Sequence, residues 1–389
     1  MSIISKRNGH IDWFILLPVA GLMFFSLAFV YSASATIAEM RFGMAEKLFW
    51  NHALRVFIGL LIMIGFAKID YHFWQKISKP LIIFSILLLV FVLAGGSTIK
   101  GASRWINLGP ISFQPSELAK FALVIHFAAL FAIKRDVIKD LEKGFLPLIL
   151  WTILICGLIA LQPNFSNMMV IFIISLLMMF IGNTNLIHLG AASLAGLTAA
   201  GIYAVSAPYR MNRFLAFFGS DNGAVDIENV SYQLNQSLIA LGNGGLLGVG
   251  PGQNRQSHLF LPESYGDFIF AIIGEEYGFI GVFFILAVFV FILWRGLLIA
   301  KRAPDDFGYF LAAGIIITFA VYVFVNAGVN TGLLPTTGVP MPFISYGGTA
   351  VFIYAAAIGI LLNISSHTDL YTPFEGTAKS EWEPATETE

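Results

Sequence analysis

Charge is scarce in this chain. Of its 389 residues 12% are charged and 57% hydrophobic, with a mean hydropathy of +0.80; a soluble domain carries about a quarter charged residues. So little charge cannot cover a water-soluble fold of this length, which leaves a polytopic membrane protein. The formal net charge is -1, so the basic surface that nucleic acid requires is missing too. Cysteine is reduced to Cys156, inside an apolar run, which excludes a disulfide framework and a multi-cysteine metal site. A phosphate-binding loop is absent as well. The glycine-rich "GNGGLLGVGPG" (242–252) lacks the lysine and Ser/Thr of such a loop and does not join a strand to a helix. It reads as loop flexibility, and neither nucleotide nor haem is expected.

What the chain has instead is long apolar runs. About 20 mainly apolar residues are needed to cross the hydrocarbon core. On that measure ten spans are expected, roughly 11–31, 52–68, 79–96, 117–133, 145–162, 166–183, 185–207, 267–298, 307–328 and 346–365. All should be helical, because backbone groups in lipid must be satisfied within the segment. The expected fold is therefore all-α, with a large extracytoplasmic loop between spans seven and eight. The polar start "MSIISKRNGH" runs straight into the first span with no small-residue cleavage site, the pattern of an uncleaved anchor.

Lys and Arg in short loops set the orientation. With the N-terminus in the cytoplasm, that side holds Lys6, Arg7, Lys68, Lys76, Lys79, Lys134, Arg135, Lys139, Lys143, Arg295, Lys301 and Arg302. The other side's loops and span ends hold only Arg41, Lys47, Arg55, Lys100, Arg104 and Lys120. Both termini are therefore expected in the cytoplasm. The long outer loop is about 208–266. Within it "YQLNQSLIALG" places Leu234, Leu238 and Leu241 on one helical face, too short to span, so an interfacial or re-entrant helix is expected. Residues 1–365 then form the membrane domain. The acidic segment 366–389, with Asp369, Glu375, Glu381, Glu383, Glu387 and Glu389, reads as a disordered cytoplasmic tail. No convincing internal repeat is found, which counts against repeat-built transporters.

Four outer-face segments carry chemistry. In "KGASRWINLGPISFQPSELAK" (100–120), Pro115 suits the first turn of a helix, and Glu117 and Lys120 are three apart on one face. That is equally the pattern of a neutralising surface pair. Arg55, at the outer end of the second span, reads by itself as a snorkelling anchor. "FLPESYGDFIFAIIGEEYGFIG" (260–281) sets four carboxylates at the head of an oily run. A helix beginning near Pro262 would put Glu263 and Asp267 about 40° apart on one face, with Glu276 opposite. Asp267 then sits where water gives way to lipid, able to face an outer cavity. Glu275 and Glu276 lie deeper and suit a supporting role between helices or against the loop. In "NAGVNTGLLPTTGVPMPFISYGGTAVF" (326–352), Ser345, Gly347 and Gly348 open the last span. Bare N–H groups there favour an anion, and small residues serve close helix packing equally well.

Taken together, "GASRWINLGPISFQPSELAK", "YQLNQSLIALGNGGLLGVG", "FLPESYGDFIFAIIGEEYGFIG" and "GLLPTTGVPMPFISYGG" resemble the SEDS family (shape, elongation, division and sporulation) in content and order. The resemblance spans almost the whole chain except the tail. It implies a peptidoglycan glycosyltransferase that polymerises lipid II on the outer face of the bacterial inner membrane. It also implies a class B penicillin-binding protein as partner, with other division or elongation complex proteins. The family's catalytic aspartate falls on Asp267, its Glu/Lys pair on Glu117 and Lys120, and its characteristic arginines on Arg55 and Arg104. Three places depart from the family pattern: Tyr265-Gly266 replaces a His-Thr pair, Asn164 stands where an aspartate is usual, and Asn254 and Ser257 replace Ser and a basic residue. "LLPTTG" and "MPFISYGG" look more like the division type than the elongation type.

The reaction so implied inverts an α-linked diphosphate donor into a β-1,4 bond. It needs one base for the acceptor hydroxyl and stabilisation of the departing diphosphate. Asp267 is the expected base, with Arg55, Arg104 and Lys120 as clamps. Glu117 would position Lys120 or, with Asp267, help hold a divalent cation (Mg2+ or Mn2+) bridging the diphosphate. A lipid II flippase is the competing class. It would place polar residues along a path through the bilayer, whereas here they crowd at one end.

Overall fold

The computed structural model describes residues 10–95, 97–99, 102–108, 111–206, 211, 217, 225–258 and 260–368. The polar start, part of the outer loop and the acidic tail from 369 lie outside the described residues, as does the expectation that the tail is disordered. Eleven α-helices are described: α1 Trp13–Phe42, α2 Lys47–Lys68, α3 His72–Gly95, α4 Pro115–Ile133, α5 Leu146–Leu161, α6 Phe165–Ile181, α7 Leu186–Val205, α8 Val225–Gly244, α9 Ile269–Lys301, α10 Asp306–Asn330 and α11 Thr349–Ser365. Eight helices are long and apolar enough to cross a membrane, α5 being counted with the π turn Leu141–Phe145 that feeds it. The remaining two expected segments form α6 and α11, of 17 residues each. The chain is a mostly helical membrane fold.

Local chemistry sets the ends. Asp12 caps α1 by accepting from Phe14 N–H at 2.9 Å, and Gly43 closes it in the left-handed conformation. Pro115 occupies the first position of α4, where its missing N–H costs nothing. Burial then ranks the helices. The apolar spans of α4 and α10 are 78% and 72% buried, against 11% for α7, and nearly every residue of α11 is buried too, so α4, α10 and α11 form the centre. The small residues Gly59 and Gly359 let α2 lie along α11.

Two regions differ from expectation. Between α3 and α4 stands a three-stranded antiparallel sheet, β1 Ser97–Ile99, β2 Ala102–Leu108 and β3 Ile111–Phe113, where the sequence suggested only a loop. Ile106 pairs Phe113 and Leu108 pairs Ile111, a short apolar–polar alternation that a search for 20-residue runs passes over. The interfacial helix is also more firmly seated than expected. In α8, Leu241 meets Gly274 of α9, while Leu234 and Leu238 lie against Gly332 after α10. It packs on protein there because glycines leave room for leucine.

Candidate active site

At the end of the bundle where α9 and α11 begin, a cavity of about 470 Å³ is walled by four segments. The first supplies Arg104, Trp105, Ser112, Gln114 and Glu117, and the α5–α6 turn supplies residues 163–167. The turn before α9 adds Glu263, Gly266 and Asp267; the α10–α11 connection adds residues 335–338, Pro340 and 346–348. The chain thus brings three of the four motif segments, 100–120, 260–281 and 326–352, to one hollow, joined there by the α5–α6 turn; Arg55 is not among the lining residues.

Asp267 is half-buried and lines this cavity. The helix expected from near Pro262 starts only at Ile269. Glu263 adopts φ +57, and its carbonyl collects the N–H groups of Gly266 and Phe268 at 2.9 and 3.3 Å, so residues 261–268 run as turns. Glu263 and Asp267 still face the same cavity. The Asp267 main-chain oxygen accepts from Asn326 Nδ2 at 2.9 Å and Asn330 Nδ2 at 3.1 Å. Gly338, at φ +73, passes so close that a Cβ would stand 3.3 Å from Asp267 Oδ2.

The cations divide into three situations. Arg104 lies in the wall, its Nε donating to Gln162 O at 3.1 Å and its guanidinium also bonding Pro163 O. Arg55 is one residue removed: its Cζ lies 4.6 Å from the ring centroid of Tyr346, and Tyr346 is the wall. Lys120 corrects the expectation of a direct clamp. It is 1% exposed, does not line the cavity, and donates to Glu117 Oε2 at 2.7 Å and Tyr322 Oη at 2.6 Å. Tyr322 in turn donates to Glu117 Oε1 at 3.3 Å. The reason is burial of α4: its inward face carries Lys120 into the helix core and leaves Glu117 at the cavity edge.

At the start of α11, Gly347 and Gly348 reach the cavity and no side chain caps the helix. Thr349 turns away, accepting from Gln114 N at 2.9 Å and donating to Ser112 O at 3.0 Å. Ser345 does not line the cavity; its hydroxyl accepts from Met341 N at 2.8 Å. Tyr265, one of the departures from the family pattern, packs edge-on against Tyr346 at 5.5 Å and accepts the Tyr346 N–H on its carbonyl at 2.9 Å. Burial and the adjacent Glu263 carboxylate raise its hydroxyl above the ordinary tyrosine range. Asn164 stands in the wall.

Glu275 and Glu276 lie apart from the cavity. Glu275 accepts from the N–H groups of Arg255 and Gln256 at 3.1 and 3.2 Å. Glu276 accepts from Gly252 N at 3.1 Å and also bonds Ser32 and Asn254. Ser257 N–H donates to Asn254 Oδ1 at 3.2 Å, fixing that amide. The main-chain carbonyls of Glu275 and Glu276 take the Val249 and Gly250 N–H groups at 3.0 Å each. The glycine-rich 242–252, expected as a flexible loop, is therefore an ordered clamp. Gly248 and Gly250, at φ +83 and +108, fit against a break in α9 at Gly278, where φ is +64.

The donor set does not fit a resident divalent cation. Glu117 is engaged by Lys120 and Tyr322, and among the described residues no three His, Cys, Asp or Glu converge as a metal site. Residues not singled out from the sequence include Tyr322, Asn326 and Asn330. Their spacing of four in an apolar helix was the available signal, since it aligns three polar groups on one face.

A membrane protein whose segments 100–120, 260–281 and 326–352 meet at one carboxylate-and-arginine cavity defines the class. The chain belongs to the FtsW/RodA/SpoVE family of cell cycle proteins, whose pattern matches residues 12–370. It is 37% identical over 362 residues to the probable peptidoglycan glycosyltransferase FtsW of Trichlorobacter lovleyi, covering 92% of this chain and 94% of that one. It is also 37% identical to stage V sporulation protein E of Bacillus subtilis, covering 94% and 99%. Its fold is similar to a chain solved in work on the structural coordination of polymerization and crosslinking by a peptidoglycan synthase complex (TM-score 0.72, 25% identity, 91% and 97% covered). The rod shape determining protein RodA of Thermus thermophilus is similar too (TM-score 0.69, 25% identity, 93% and 98% covered).

Proposed function

We propose that this chain is a peptidoglycan glycosyltransferase that polymerises glycan strands from lipid II, with inversion and release of polyprenyl diphosphate. The observation that carries the reading is one cavity holding Asp267, Arg104, Glu117 and the uncapped start of α11. Asp267 is the base that takes the proton of the acceptor's 4-hydroxyl. Arg104 and the N–H groups at Gly347 and Gly348 receive the developing negative charge of the diphosphate. Arg55 acts through Tyr346, and Lys120 holds Glu117 in place.

The same cavity is read as open to the outer face of the inner membrane, with both termini in the cytoplasm and ten spans. Residues 1–365 are the membrane domain. A class B penicillin-binding protein, the cross-linking partner, is read as docking beside it, and the relatives' names favour a role in division.

The test is polymerisation of purified lipid II by Asp267→Asn beside the wild type, with the co-purifying partner present. Loss of a positioned base costs about 100- to 10,000-fold. Glycan strands made at a near-normal rate by a folded variant would remove Asp267 from the chemistry, and wild-type protein that made none but moved lipid II would favour the flippase.

A further inference from the structure

Asn326 and Asn330 are buried, 1% and 0% exposed, on one face of the central helix α10. Neither touches the cavity, and the chemistry above makes no use of them. Their hydrogen bonds are unusual in where they go. In an uninterrupted helix, the N–H of Ala271 would bond the carbonyl of Asp267, four residues back. Here Ala271 N–H is shared between Phe268 O at 3.1 Å and Asn330 Oδ1 at 3.2 Å, and Asn330 Nδ2 donates to Asp267 O at 3.1 Å. The carboxamide is thus spliced between two groups that a continuous helix would bond to each other. It lies where α9 gives way to the turn that carries Asp267.

Asn326 completes the arrangement. Both hydrogens of its Nδ2 are committed, to Asp267 O at 2.9 Å and Val339 O at 2.8 Å. Val339 follows Gly338, the residue that lies against Asp267 Oδ2. One amide therefore ties the main chain carrying the carboxylate to the main chain that passes beside it. The Asn330 amide nitrogen also bonds Asn326 O at 2.9 Å, and Asn330 O accepts from Ser237 of α8 at 2.9 Å. The pair is braced from two sides.

We infer that Asn326 and Asn330 are positioning residues that set the aim of Asp267, a splint which keeps the base in a turn at the cavity rather than on a helix face. Removing the splice allows α9 to add the missing ladder bond and rotate Asp267 by about 100° per residue gained. The inference rests on the reading of Asp267 as the base.

The experiment uses the full chain with its co-purifying partner and compares Asn330→Leu, Asn326→Leu and Asp267→Asn in lipid II polymerisation across pH. Leucine keeps the volume and removes the amide. Misplacing a reacting group by about 1 Å costs up to about 100-fold, so kcat should fall about 10- to 100-fold. KM for lipid II should stay within about threefold. The acidic limb of the kcat–pH profile, which reports the base, should move by about half a unit or more. Should Asn330→Leu fail to fold, Asn326→Leu spares the Ala271 bridge and is read the same way. A kcat and profile equal to wild type, or a rate that falls only with the folded fraction while the acidic limb stays put, overturns the splint and leaves the base reading intact. An active Asp267→Asn overturns both.

Discussion

Glu275 and Glu276, in the second turn of α9, give their carboxylate oxygens to loop donors at Arg255, Gln256, Gly252 and Asn254 and to Ser32 of α1. Asp267, two residues before the same helix, is held through its main-chain oxygen and lines the cavity with its side chain. Identical chemistry thus serves two ends. A carboxylate whose oxygens are filled by main-chain N–H groups is a fastener, while one whose backbone is pinned has its side chain aimed. The buried Glu117–Lys120 pair stands between these cases, with one member at the cavity edge and the other sealed behind it.

The contrast can be broken by experiment. Its largest test is the Asp267→Asn loss of rate described above, which should leave the thermal midpoint nearly unchanged. Next comes Lys120→Met, which strands a buried carboxylate; loss of one partner of such a pair costs about 3–5 kcal/mol. Midpoints in detergent should drop accordingly, and adding Glu117→Gln should recover part of the loss. A single variant as stable as wild type would show Glu117 to be neutral or hydrated instead. A smaller effect is expected for Glu276→Gln, about 1–3 kcal/mol through weakened bonds to the loop. Its activity per folded molecule should be retained; a loss of kcat in well-folded Glu276→Gln would erase the distinction between fastener and base.

The smallest effect lies at the opposite end of the bundle. There Asp70 bonds His72 N–H and Nδ1, both at 2.8 Å. Burial pushes the Asp70 carboxyl up, but the His72 contacts outweigh it and the net shift is downward from 3.8. A depressed carboxylate contributes stability above 3.8 that is lost as pH falls through its lowered value. Asp70→Asn should therefore flatten the decline of the midpoint below pH 4 by a small margin, about that of an exposed pair. An unchanged slope would mean the contact contributes nothing.

Helix content was legible because apolar length is a strong signal: 117–133 and 307–328 fall within a few residues of α4 and α10. The small sheet was not, since three-residue strands such as β1 and β3 carry too little pattern. Motif chemistry brought Asp267, Arg104 and Glu117 into view, and they do share a cavity. The depth of Lys120 and the aromatic screen before Arg55 were hidden, because spacing along one helix does not say which way its face turns in the bundle. Ser345 was misplaced for a similar reason: its hydroxyl serves a local turn at Met341. The order of the glycine-rich clamp was missed because each glycine's role depends on α9, a partner some thirty residues away in sequence.

Gly278 has one more effect. A continuous helix of 33 residues would be roughly 50 Å long at 1.5 Å per residue, well over the ~30 Å thickness of hydrocarbon. Interrupting it there divides a lever into a short arm anchored to the clamp and a long arm in contact with lipid. The direction of the short arm is thereby set by the clamp and not by the long arm, and the aspartate two residues before it shares that setting.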